Sequence, residues 1–287
     1  MLYRHFIPLV FFITCVFSLS AQEKKKEITA PETAKERQLE KKQEAKLYSI
    51  RQFAHETSLF VKQPTKWAGR DWLKVGIITS ATIAVMPFDE SITNSTQGRQ
   101  RYYYSVPVEG GRIYGEWYSI GGVAGMFALY GLIAHDTAAK KIAIELLQAG
   151  LYSEIVTTVL KIAFGRERPV STQHAFTYHP FTVFDYNFQS MPSGHTTSAF
   201  ALSTIMSRHA HSTALKILAY IPAGFTMFSR IYQHKHWLSD EILAAAIGYF
   251  AGNWVVDLHE GKRHRINVAS AYRPPIPFMP AGGQAKK

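Results

Sequence analysis

The sequence predicts an all-α protein, an up-and-down bundle of about six core helices preceded by an amphipathic helix and followed by an irregular tail. Three observations predict it. Apolar segments of helical length recur at about residues 72–88, 117–134, 142–164, 196–207, 214–228 and 241–256. No stretch alternates apolar and polar residues over strand lengths, and no internal repeat divides the chain. With 47% hydrophobic residues among 287, one sizeable core can form.

In chain order, residues 1–21 carry a basic Arg4, an apolar run from Phe6 to Phe17 and small residues at Ser18, Ser20 and Ala21. That pattern predicts a secretory signal peptide and a periplasmic destination. Cys15, the only cysteine, lies inside it, so the mature chain is expected to have no thiol chemistry and no cysteine-based metal site. Residues 22–46 are rich in Lys, Glu, Gln and Ala with little to bury, and form a charged linker. Over 47–71, Ile50, Phe53, Ala54, Phe60 and Val61 recur near helical spacing and predict the amphipathic helix and the entry to the bundle.

The bundle is expected to occupy 72–257. Between its first two helices, residues 89–116 form a long polar and aromatic connection. It is either a lid or substrate-contacting loop, or a packed surface loop anchored by Tyr102, Tyr103 and Tyr104. Residues 258–287 contain Pro274, Pro275, Pro277 and Pro280, which stop a continuing helix.

The formal net charge is +11, from 32 Lys and Arg against 21 Asp and Glu. Such a surface attracts anionic membranes and phosphorylated substrates. No Lys/Arg stripe interleaves with base-stacking aromatics, so nucleic acid is not an expected partner.

Three segments carry chemistry. KIAFGRERP sets Lys161 near a helix end and Arg168 seven residues on, a point charge and a planar fork for phosphate oxygens, although a basic helix terminus before a proline is also an ordinary stop signal. MPSGHTTSAF sets Ser193, Gly194 and His195 at the start of an apolar helix, where amide N–H groups can cradle an oxyanion, or where Ser193 simply caps the helix. SRIYQHKHWLSDE sets Arg230 at one helix end and His236 and Asp240 four residues apart at the next helix start. An Asp at that spacing can accept one imidazole proton and leave the other ring nitrogen free to attack. In an up-and-down bundle the third helix ends, the fourth begins, the fifth ends and the sixth begins on one face, so all three segments should meet.

Together the segments resemble the type 2 phosphatidic-acid phosphatase and vanadium haloperoxidase superfamily, whose pattern is K-x6-RP, PSGH and SR-x5-H-x3-D. Lys161, Arg168, Pro169, Pro192, Ser193, Gly194, His195, Ser229, Arg230, His236 and Asp240 all agree with it, over about 80 residues. The resemblance implies a histidine-nucleophile phosphatase without cofactor or metal, acting on a phosphorylated lipid or a small phosphomonoester. It implies that His236 attacks phosphorus, Asp240 orients it and His195 protonates the leaving oxygen. Lys161, Arg168, Ser193, Gly194 and Arg230 would hold the phosphate oxygens. The pairs His209/His211 and His234/His236 have i, i+2 spacing and no completing carboxylate, so no metal site is expected.

Two other functions fit parts of the pattern. A vanadium-dependent haloperoxidase shares the motifs but is usually much longer. A non-catalytic envelope protein binding anionic lipid would not need the His236, Asp240 and His195 set. The apolar runs hold about 14–18 residues, at or below what a membrane crossing needs, and Glu145 and Glu154 interrupt the third. The expectation is therefore a periplasmic protein, soluble or resting on a membrane surface, with an integral membrane bundle as the alternative.

Overall fold

The computed structural model describes residues 49–96 and 100–261. The expected signal peptide, the 22–46 linker and the tail from 262 onward lie outside the described residues. Those described are mainly helical and contain no strand, only an isolated bridge between Arg166 and Tyr178.

Helix α1 (Ile50–Val61) starts at Ser49, whose hydroxyl accepts the Gln52 amide at 3.1 Å. It lies across the bundle end opposite the three motifs. Phe60 stacks on Tyr152 with centroids 4.6 Å apart and meets Trp254 at 5.3 Å. Gln148 donates to Glu56 at 2.6 Å, and His259 bridges Glu56 at 3.4 Å and Glu145 at 3.2 Å.

Next come α2 (Gly69–Val85), α3 (Asp89–Thr96), α4 (Val106–Tyr114), α5 (Trp117–Ile133) and α6 (Thr137–Phe164). Helices α7 (Gly194–His209), α8 (Thr213–Leu218), α9 (Ile221–Tyr232) and α10 (Leu238–His259) complete the described chain. The 89–116 connection is thus largely helical, and of the three tyrosines that one alternative made buried anchors Tyr103 is partly buried while Tyr102 is 58% and Tyr104 79% exposed.

The core joins Leu146, Ala149 and Tyr152 of α6, Ala199, Leu202 and Ile205 of α7, Ala223 of α9, and Trp254 and Val255 of α10. Small and hydroxyl residues set the helix spacing. A Cβ on Gly248 would sit 2.3 Å from the Thr197 carbonyl oxygen, so α7 and α10 touch backbone to backbone. Thr157 donates to Thr197 at 3.0 Å, and Tyr114 shares a 2.9 Å bond with Ser203. Such contacts hold helices together where apolar burial cannot, as between helices surrounded by lipid.

The outer faces are apolar. Trp72, Leu73 and Ile77 on α2, Leu129, Leu132 and Ile133 on α5, Leu147 and Val159 on α6, and Phe225 and Phe228 on α9 are all exposed. Residues 69–96, 137–164 and 238–259 are long and apolar enough to cross a membrane. The short-run expectation fails for a simple reason: polar residues such as Glu145, Gln148 and Glu154 face inward, so the apolar run understates the helix.

Candidate active site

Helix α6 ends at Gly165, which takes a left-handed conformation with φ 56° and donates its amide to the Lys161 carbonyl at 2.9 Å. A Cβ there would lie 1.7 Å from the His179 carbonyl oxygen, so no side chain fits. The chain then crosses the end of the bundle in extended form, with Arg166 and Arg168 facing different partners.

Arg168 is buried and spends its donors on carbonyls: Tyr186 at 3.0 Å, Lys235 at 3.1 Å and Gln189 at 3.0 Å. Its guanidinium lies 3.8 Å from the Tyr186 ring centre. Lys161, half-buried, donates to the same Gln189 carbonyl at 2.7 Å, which brings the two cations together. Arg230, near the end of α9, is also buried; it donates to Ser229 and Gln233, and its Nε has no hydrogen-bond partner among the described residues. None of these three cations is ion-paired with a carboxylate among the described residues. Burial pushes the Arg168 guanidinium below its ordinary range, and burial followed by the Arg112 charge does the same to Arg230.

His236 lies just before Trp237, the N-cap of α10, and is 2% exposed. Its Nδ1 lies 2.7 Å from the Ser190 carbonyl oxygen. A carbonyl only accepts, so Nδ1 carries the proton and the Nε2 lone pair is left facing Arg168 Nη1 at 3.3 Å. Burial, then the Arg168 charge, hold this imidazole well below the usual histidine range, which favours its neutral form.

Asp240 is not the direct acceptor that the i, i+4 spacing suggested. Its Oδ2 is 3.8 Å from His236 Nδ1 and instead accepts the Ser190 hydroxyl at 2.6 Å and the Trp237 amide at 2.9 Å, capping α10. Its Oδ1 pairs with Arg166 at 2.7 Å. Asp240 therefore fixes the ring indirectly, by fixing the residue whose carbonyl holds it.

Ser193 caps α7, its hydroxyl accepting the Thr196 amide at 3.4 Å, and Gly194 and His195 lead the helix with their amides. A Cβ on Gly194 would be 3.9 Å from Lys161 Cε, which places this helix start beside the cations. His195 is half-buried, and its Nε2 is 3.2 Å from Glu116 Oε1. All eight residues singled out from sequence thus stand at one end of the bundle. His234, the competitor of His236, turns away to Thr96 at 2.9 Å.

Four residues of this region escaped the sequence reading. Arg166 is fully buried and joins Asp240, Ser239 (2.6 Å), Asp89 (2.8 Å) and the Ala175 carbonyl. Asp89 in turn accepts the Ser239 hydroxyl and amide. Ser190 and Glu116 position the two histidines. The available signal was the i, i+2 spacing of Arg166 and Arg168 in an extended segment, which must send one inward past the other; Asp89, Ser190 and Glu116 carry no comparable signal.

Residues 142–263, which run from within α6 to the end of α10 and hold every motif residue, match the model of the PAP2 superfamily. The chain is 35% identical over 103 residues to the Lipid A 1-phosphatase of Porphyromonas gingivalis, covering 34% of this chain; the chain spans about a fifth (20%) of that relative's length. The transmembrane PAP2-type phosphatidylglycerolphosphate phosphatase of Bacillus subtilis shares the fold, with a TM-score of 0.50 and 21% identity over 66% of this chain and 94% of its own. The structure of LpxE from Aquifex aeolicus gives a TM-score of 0.45 and 20% identity over 60% of this chain and 93% of its own.

Proposed function

We propose that this protein is a membrane-embedded phosphatase that removes a terminal phosphate from a phosphorylated lipid, without a metal ion, through a phosphohistidine. The observation that carries the proposal is the set of Lys161, Arg168 and Arg230, none ion-paired with a carboxylate among the described residues, with Arg168 Nη1 on His236 Nε2 at 3.3 Å and Lys161 and Arg230 acting on His195. A phosphate dianion supplies the missing counter-charge and brings phosphorus to the lone pair.

In the first step the His236 Nε2 lone pair forms a bond to phosphorus while the bond from phosphorus to the leaving oxygen breaks. That oxygen takes a proton from His195. In the second, a water gives a proton to His195 and attacks phosphorus, the N–P bond breaks, and inorganic phosphate leaves. Lys161, Arg168, Arg230, the Ser193 hydroxyl and the Gly194 amide neutralise the equatorial oxygens.

The lipid class rests on the apolar outer faces of α2, α5, α6 and α9, on the three helices long enough to cross a membrane, and on the likeness of one segment to a Lipid A 1-phosphatase. The experiment is phosphate release by detergent-purified protein from phosphatidic acid, phosphatidylglycerol phosphate and lipid A, with and without EDTA, beside His236→Ala. Release that persists in EDTA and disappears in the variant is expected; an active His236→Ala protein sinks the mechanism. Carbonate washing should leave the protein in the membrane pellet.

A further inference from the structure

The 89–116 connection supplies a carboxylate to the site. Helix α4 lies so close to α9 that a Cβ on Gly111 would be 2.3 Å from the Phe225 carbonyl oxygen, and Thr226 donates to the Gly111 carbonyl at 2.8 Å. Gly115 likewise approaches the His195 backbone; a Cβ there would be 2.7 Å from its carbonyl oxygen. This contact delivers Glu116, the N-cap of α5, to His195 Nε2 at 3.2 Å.

Glu116 is itself held. Arg112 Nη1 donates to its Oε1 at 3.0 Å, and Arg112 Nε donates to Glu109 at 2.9 Å. Glu109 accepts Gln233 at 3.0 Å, and Gln233 accepts Arg230. A continuous run of hydrogen bonds therefore leads from His195 to the arginine with the unpartnered Nε.

Building on the phosphatase reading above, we infer that Glu116 is a positioning residue for the leaving-group acid: it holds His195 as the Nε2–H tautomer and makes Nδ1 the atom that transfers the proton. A carboxylate only accepts, so Nε2 carries a proton in both charge states, and Nδ1 has no partner among the described residues. Nδ1–H gives its proton to the leaving oxygen, and the freed Nδ1 lone pair takes one from water, with Nε2–H anchored throughout. Glu116 does for His195 what the Ser190 carbonyl does for His236.

The charged groups facing His195 are Glu116 with Arg112 behind it from the α4–α5 junction, Lys161 and Glu154 from α6, Arg230 from α9 and Glu241 from α10. Burial, Arg230 and Lys161 lower the His195 imidazole below its usual range, and the Glu116 bond opposes them. The Glu116 carboxyl is lowered in turn, first by that same bond. Removing its charge must lower the imidazole further.

The test compares Glu116→Gln and Glu116→Asp with the unaltered protein on two esters: phosphatidic acid, whose alkoxide leaving group needs a proton, and p-nitrophenyl phosphate, whose leaving group does not. Glu116→Gln should lower kcat/KM on phosphatidic acid by about 10–100-fold, part of the roughly 10²–10⁴ that general acid catalysis supplies. It should leave p-nitrophenyl phosphate within about threefold, and the alkaline limb should move to lower pH. Glu116→Asp, which restores the charge, should return the limb towards its original position. Equal losses on both esters with an unmoved limb would overturn the inference and leave Glu116 a packing residue. Wild-type protein that hydrolyses neither ester, or His236→Ala that hydrolyses both, overturns the phosphatase reading beneath it instead.

Discussion

His236 Nδ1 donates to the Ser190 carbonyl at 2.7 Å, and Asp240, 3.8 Å away, reaches the imidazole only through Ser190 and the α10 cap. The His236 imidazole is thus oriented by a backbone group that no side-chain substitution removes. Ser190→Ala keeps that carbonyl and deletes only the hydroxyl bond to Asp240. A hydrogen bond to a charged group contributes about 1.5–3 kcal/mol, of which only part reaches the ring, so kcat should fall about tenfold with KM little changed. Steady-state kinetics decide it. A loss as complete as that of His236→Ala would mean that the carbonyl does not hold the ring.

Arg166 links Asp240 to Asp89 from a position with no exposure at all. Replacing it with Met leaves two buried carboxylates without a cation, which costs about 3–5 kcal/mol in comparable buried pairs. Thermal unfolding in detergent should show a large drop for Arg166→Met. The double variant Arg166→Met with Asp89→Asn removes one stranded charge and should recover part of it. No recovery would mean that Asp89 is not a counter-charge for Arg166.

This network explains which parts of the site were legible in the sequence. Lys161, Arg168, Ser193, Gly194, His195, Arg230, His236 and Asp240 lie at fixed spacings beside helix ends, and the parity of a bundle brings helix ends together. Asp89 and Glu116 come from a connection whose path depends on where Gly111 and Gly115 let α4 settle against α9 and His195, a tertiary fact without local pattern. The His236–Asp240 spacing puts the two near the start of α10, on either side of its Trp237 N-cap. It could not reveal that the Trp237 amide and Ser190 hydroxyl compete for the same carboxylate oxygen. Helix lengths were underestimated wherever an inward polar residue interrupted an apolar run, as in α6, which holds 28 residues.

The pH dependence of the reaction follows from two histidines with opposite duties. In the proposed mechanism His236 attacks as the neutral base, and burial with the Arg168 charge holds it well below the usual histidine value, so protonation should remove activity only far on the acid side. His195 must be protonated for the first step, and it too lies below the ordinary value of 6.5. Activity that needs its proton is present below its folded pKa and is lost as pH rises through it. The kcat/KM profile on an alkyl phosphate should therefore peak on the acid side of neutrality and already be in decline at the ordinary histidine value of 6.5. A profile rising through pH 8 would contradict the assignment of His195 as the acid.

Gly165 is where helix geometry and site geometry meet. Its φ of 56° ends α6 and sends Arg166 and Arg168 across the bundle end, and any Cβ would strike the His179 carbonyl oxygen at 1.7 Å. An alanine there meets two obstacles. The left-handed conformation costs a non-glycine residue about 1–2 kcal/mol. The clash is with backbone that is itself fixed, since the His179 amide donates to the Gly165 carbonyl at 2.7 Å. The turn must open, and opening it moves Arg168 away from the Gln189 carbonyl that Lys161 shares. Gly165→Ala should lower both the unfolding temperature and kcat/KM, the latter more than tenfold. Gly121→Ala is the matched control, because it sits within α5 with nothing near the added methyl. It should raise stability by about 0.5–1 kcal/mol through helix propensity and leave turnover unchanged. If Gly165→Ala behaved like Gly121→Ala, the turn would not be what sets the two cations side by side.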